Sequence, residues 1–218
     1  MADPSAEWQP PQEFDEYRLL KPLGRGRTGH VWLAQDTLLD RTVAVKFIPA
    51  PDATWLSRFL VEARAAARVQ HPNVASLYRV GQVGEHAYLV SEHVRGVSLD
   101  HVPLPLPPDR VLDLAEALAR GLAAAHRGGV LHRDIKPGNA VLDEKGEAKL
   151  VDFGLARIVD AGEGGDTVPA GSPVGTPYFI APELWARQPP RCGPTRGRWE
   201  RSSTSWRRAA ARGATCRS

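Results

Sequence analysis

The sequence predicts an α+β fold in which strands dominate the first part of the chain and a long helix comes later. Three observations predict it. Between Tyr17 and Glu92, short runs with β-branched and alternating residues are interrupted by a single helical pattern, Thr54–Val69. A longer helical pattern, Arg110–Arg127, follows a proline-rich break, Pro103–Pro108. A polar, charged loop, Val130–Asn139, then leads into a short hairpin. With 218 residues and 42% apolar content, the chain can bury a real core.

The formal charge of +3 hides a split. Residues 187–218 carry nine Arg against one acid, Glu200, whereas the first 186 residues hold 19 basic and 24 acidic side chains, a net −5. The body therefore offers no electrostatic case for nucleic acid, and only a genuine Arg-rich tail would make one. Both cysteines, Cys192 and Cys216, lie in the tail, so the body needs no disulfides and suits a reducing cytoplasm. No apolar run approaches the roughly 20 residues of a membrane span, and the acidic N-terminus is no signal peptide.

Met1–Gln12 is polar and Pro-rich, and residues 1–14 read as a flexible leader. From Tyr17 two apolar runs flank a glycine-rich turn with Gly24, Gly26 and Gly29, which can fold tightly over phosphates and present N–H groups to them. Because Val31–Ala34 after it is strand-like rather than helical, a hairpin is favoured over a dinucleotide-binding turn. Thr42–Ile48 is the next strand, with Lys46 at its centre; taken alone this is a solvent-facing strand lysine. In the helix Thr54–Val69, Thr54 is the candidate cap and Phe59, Leu60, Ala63, Ala66 and Ala67 form the apolar face. Leu77–Val80 and Ala87–Glu92 read as paired strands. Gly128–Gly129 stops the long helix, and Ala140–Leu142 with Ala148–Val151 flank a turn at Asp143–Gly146.

The polar loop reads VLHRDIKPGN and packs a carboxylate (Asp134), an ammonium (Lys136) and an amide (Asn139) into six residues. Phosphoryl transfer needs an acid to orient a hydroxyl and an amide to hold magnesium. Eighteen residues beyond Asp134, after the hairpin, stands Asp152 of an Asp-Phe-Gly triplet. Later comes Gly175–Glu183, GTPYFIAPE. In this order the motifs over 15–186 resemble the eukaryotic-like (Hanks-type) bacterial serine/threonine protein kinases, as a partial kinase domain truncated after the APE motif.

The resemblance implies a bilobal fold: residues 15–94 as a small β-rich lobe and hinge, and 95–186 as the start of a helical lobe whose C-terminal half is absent. It implies ATP and Mg2+ as cofactors. Gly24, Arg25, Gly26 and Gly29 would cover the phosphates. Val31 and Ala44 would pack against adenine, Glu92 and Val94 would meet its edge with backbone groups, and Val141 is a further cofactor-binding residue. Ser91, as a small gatekeeper, would leave an open pocket behind the nucleotide. Lys46, positioned by Glu62, would hold the α- and β-phosphates. Asp134 would orient the attacking hydroxyl, Lys136 would steady the γ-phosphate, and Asn139 with Asp152 would hold the metal. Thr176 would contact Asp134 and Lys136. Thr167 and Ser172 are candidate phosphorylation sites with Arg133 as the receiving cation. The implied activity is γ-phosphate transfer to protein Ser/Thr hydroxyls, with autophosphorylation of the activation segment. The implied partners are protein substrates and a second kinase domain in a dimer.

Residues 187–218 contain no Val, Ile, Leu, Met, Phe or Tyr, so the buried central helix that the family places there cannot be drawn. In a shifted reading frame the codons for Arg191–Thr195 and Gly197–Arg208 can spell VRSD and ALGAVLYELAA, which resembles that helix. A frame-shifted tail is therefore one reading, and a genuine basic tail is the other. Without the helix the chain is expected to fold poorly or only in its small lobe. Two alternatives to an active enzyme stay open: an inactive fragment that binds nucleotide or a partner protein, and a nucleic-acid binder acting through the tail.

Overall fold

The structure, a computed structural model, is described for residues 8–26, 29–132 and 134–152. Six antiparallel strands form the first sheet: β1 (Glu13–Phe14), β2 (Tyr17–Gly26), β3 (Gly29–Asp36), β4 (Arg41–Pro49), β5 (Leu77–Val83) and β6 (His86–Glu92). Their order is β1-β2-β3-β4-β6-β5. The alternation in β4 decides which face is which. Val43, Val45 and Phe47 are buried with Leu19, Ala34, Tyr88 and Val90 in one core. Ala44, Lys46 and Ile48 point the other way, and Ile48 is covered by Trp55, Phe59 and Ala63 of helix α1 (Ala53–Ala66).

Two expectations change here. The cap of α1 is Asp52 rather than Thr54: its carboxylate accepts Trp55 N–H at 2.7 Å, which leaves Thr54 inside the first turn. The leader is not loose throughout. Phe14 is 9% exposed and packs edge-on to Phe47 and Tyr88, while Trp8 stacks on His86 at 3.5 Å. The large apolar rings of Trp8 and Phe14 outweigh the polar composition around them.

The second region holds β7 (Gly96–Ser98), helix α2 (Pro108–Arg127), a 3-10 turn (Pro137–Asn139), β8 (Ala140–Asp143) and β9 (Ala148–Leu150). Its three strands run in the order β7-β8-β9. Leu114 and Leu118 of α2 close over Ala140, Ala148 and Leu150, and Gly128 caps the helix as expected. The sequence reading had no counterpart for β7, whose three residues show no alternation of their own.

The connection after α1 ties the two regions together. Leu150 N–H donates to Asn73 O at 2.9 Å, Ala75 N–H donates to Leu150 O at 2.8 Å, and the Asn73 amide donates to Ala148 O at 2.8 Å. Asn73–Ala75 thus serves as a second partner for β9, on the side away from β8. Helix α2 passes so close to it that a Cβ at Gly121 would stand 2.8 Å from Asn73 O.

Candidate active site

The β2–β3 hairpin supplies the glycines, and they differ. Gly29 has φ +130°, and a Cβ there would lie 2.0 Å from Phe47 O, so its missing side chain lets β3 approach β4. A Cβ at Gly24 would meet nothing within 4 Å, which leaves open space on that side. Gly26 faces Gly29 across the hairpin, and Arg25 is exposed opposite His30.

Strand register gathers the next set. Val31 pairs with Lys46, Lys46 with Leu89, and Ala44 with both Leu33 and Ser91. Cross-strand partners share a face, so Val31, Ala44, Lys46 and Ser91 lie together opposite the Phe47 core. All four are half-buried. Val141 stands in β8 between Ser98 and Lys149. Glu92, the last residue of β6, donates its backbone N–H to Ser76 O at 2.8 Å. Val94 follows, half-buried, just beyond the strand.

Lys46 Nζ lies 2.7 Å from Asp152 Oδ2. Glu62, expected as the partner of Lys46, sits half-buried on α1, and Lys46 makes an ion pair with Asp152. Asp152 has φ +65°, a backbone conformation that few L-residues other than Asn and Asp adopt readily.

The polar loop closes on Asp134. Lys136 Nζ is 2.6 Å from Asp134 Oδ2, and the Asn139 amide donates to Asp134 Oδ2 at 2.9 Å and to its backbone oxygen at 2.8 Å. Both Asn139 amide donations therefore go to Asp134, which leaves the amide oxygen as its remaining polar group. A hard divalent cation prefers oxygen donors, and this amide oxygen together with the Asp152 carboxylate suits one.

His132 anchors the loop from below. It is 2% exposed, and its Nε2 stands 3.0 Å from Val151 O, a group that can only accept. Nε2 therefore carries the proton, and burial holds the imidazole below its ordinary pKa. Val151 N–H in turn donates to Asn139 O at 3.0 Å. The strand end before Asp152 and the loop around Asp134 are thus fastened to each other on both sides.

Arg133, Thr167, Ser172, Thr176 and the whole 187–218 tail lie outside the described residues. The sequence reading passed over Lys149 and Asn73. Lys149 stands between two buried residues of its strand, and that alternation was the available signal that it faces away from the core beneath Ala148 and Leu150.

The protein kinase domain family matches residues 17–195. Over 175 residues the chain is 42% identical to the serine/threonine-protein kinase pkn2 of Myxococcus xanthus, covering 77% of this chain and 21% of that protein. It is 35% identical over 173 residues to PrkC of Bacillus subtilis, covering 77% of this chain and 26% of the relative. With PknA of Mycobacterium tuberculosis it shares 39% identity over 178 residues, which covers 77% of this chain and 41% of PknA. The chain thus spans well under half the length of these curated relatives. The solved kinase domain of Mycobacterium tuberculosis PknI superposes with a TM-score of 0.57 at 30% identity, over 74% of this chain and 69% of that one. Site geometry, fold and sequence agree: the chain belongs to the protein kinase family, within its bacterial, Hanks-type serine/threonine branch.

Proposed function

We propose that this chain transfers the γ-phosphate of ATP to serine and threonine hydroxyls of proteins. The observation that carries the reading is the convergence of Lys136 and Asn139 on the carboxylate of Asp134, in a loop fastened to the strand that delivers Asp152. Asp134 orients the substrate hydroxyl and takes up its proton. Lys136, already against Asp134, is within reach of a γ-phosphate held there and offsets its charge. Lys46 exchanges Asp152 for the α- and β-phosphates when nucleotide enters, and Glu62 of α1 steadies it. The carbonyl of Glu92 and the backbone of Val94 hold the adenine edge between Val31, Ala44 and Val141. Protein kinases use ATP with a divalent cation; Asn139 and Asp152 are the residues that would hold it, and it neutralises phosphate charge when bound.

The wider reading rests on sequence and family. It comprises protein substrates, autophosphorylation at Thr167 or Ser172 answered by Arg133, and contact of Thr176 with Asp134. Among the described residues no helix is long and apolar enough to cross a membrane. The test is transfer of radiolabelled γ-phosphate to a generic protein substrate. Asp134→Asn is expected to lower turnover by about a hundredfold or more, and transfer that survives the substitution overturns the mechanism. ATP binding by the unsubstituted chain without any transfer would favour the inactive-fragment reading.

A further inference from the structure

Three segments meet beside the end of β6. The side chain of Glu92 pairs through Oε1 with Lys149 Nζ of β9, and its Oε2 accepts Ser76 N–H at 3.3 Å. Its backbone N–H returns the bond to Ser76 O at 2.8 Å. Just upstream of Ser76, Asn73 and Ala75 are bonded to Leu150 and Ala148 of β9. The three segments form a closed triangle: residues 73–76 to β9, residues 73–76 to Glu92, and Glu92 back to β9. Lys149 and Glu92 are 21% and 25% exposed, so the pair is partly buried. One corner is the residue whose carbonyl would face adenine, and another lies three residues before Asp152.

We propose that Lys149 is a positioning residue: it fixes the Glu92 side chain so that the Glu92 carbonyl keeps its place at the nucleotide edge. The register puts Lys149 beside Val141, on the face of its sheet opposite the buried Ala148 and Leu150. Its side chain has the sheet floor beneath it and Glu92 in front of it. Among the described residues the Glu92 carboxylate has two partners, Lys149 and the Ser76 N–H, and only Lys149 brings a charge. Removing the ammonium leaves a half-buried carboxylate with one backbone donor, and that carboxylate gains by turning toward water. The end of β6 would move with it.

The consequence for nucleotide rests on the kinase reading, but the pinning itself does not, so the full chain is tested twice. Without nucleotide, hydrogen exchange at the Glu92 amide is expected to quicken by about threefold or more in Lys149→Met, as for a partly exposed ion pair, and to return to the original rate in Lys149→Arg. Unchanged exchange in Lys149→Met overturns the proposal. With a fluorescent ATP analogue, Lys149→Met and Glu92→Gln are each expected to weaken binding by on the order of threefold. The double variant is expected to weaken it no further than either alone. Additive losses would mean that the two side chains act separately and would also overturn it. Faster exchange in Lys149→Met with no analogue bound by any form, including the unsubstituted chain, would uphold the pinning and refute the kinase reading instead.

Discussion

In the six-stranded sheet the core is rich in aromatic rings: Phe14 meets Phe47 and Tyr88 edge to face, Tyr17 meets Tyr88 likewise, and Trp55 stacks on Phe59 under the other side. In the three-stranded sheet the corresponding places are taken by Ala140, Ala148 and Leu150 under the leucines of α2. The first region gains its cohesion from large apolar surfaces buried between its own strands and helix. The second has little such surface in its strands and relies on polar bonds: His132 to Val151, Asn139 to Asp134, and Asn73 to β9. The residues read as catalytic belong mostly to the second kind. A charged loop is held in shape by hydrogen bonds from named neighbours, and it stands beside a scaffold that could tolerate changes in the loop.

The contrast is broken most directly by emptying each core. Phe59, fully buried, should cost about 3–5 kcal/mol on Phe59→Ala, and Leu118→Ala about 2–5 kcal/mol, in chemical denaturation. We expect the phenylalanine to be the larger loss, because its cavity is lined by rigid aromatic and strand residues. Equal losses would show that α2 is as central to cohesion as the first sheet.

A smaller effect separates scaffold from site within one hairpin. Gly29→Ala pushes a methyl against Phe47 O at a positive φ and should destabilise the chain by about 1–3 kcal/mol. Gly24→Ala meets nothing, so its melting temperature should stay close to the parent's while nucleotide affinity falls if phosphates pass over that strand. A large drop in melting temperature for Gly24→Ala would contradict the division.

The smallest effect is one of pH. Burial lowers the His132 pKa from its ordinary 6.5, and His86 and His93 are lowered by burial too. A depressed pKa means that the unfolded chain takes up protons near pH 6.5 that the native chain refuses. The stability these groups permit is complete above that value and declines as pH falls below it. Urea midpoints should therefore drop on acidification, and less steeply in His132→Gln, which retains an N–H to offer Val151. An identical slope in the variant would remove His132 from the account.

Much of this was legible in the chain. Alternation in TVAVKFI gave β4, with Lys46 at its centre, and the spacing of Phe59, Ala63 and Ala66 gave the buried face of α1. The order of the motifs gave the loop that closes on Asp134. The misses have physical causes. Asp52 and Thr54 both have capping side chains, and only the backbone path decides between them. Strand β7 exists because β8 has an edge to fill, which no local pattern in Gly96–Ser98 announces. The ion pair of Lys46 with Asp152 joins residues 106 apart in sequence, which no local pattern announces. Trp8 and Phe14 are single rings in a polar stretch, too sparse to set up a period.

The backbone of Asp152 bears on how its chemistry is to be probed. At φ +65° it occupies a conformation that asparagine shares and alanine resists. Truncating this side chain to a methyl would remove a charge and add backbone strain at once, and the two losses would be indistinguishable in any rate. The amide isostere removes the charge while leaving the turn of the chain at ease. For this residue the conservative exchange is therefore also the informative one, and a deficit measured in it reports on the lost carboxylate without added backbone strain.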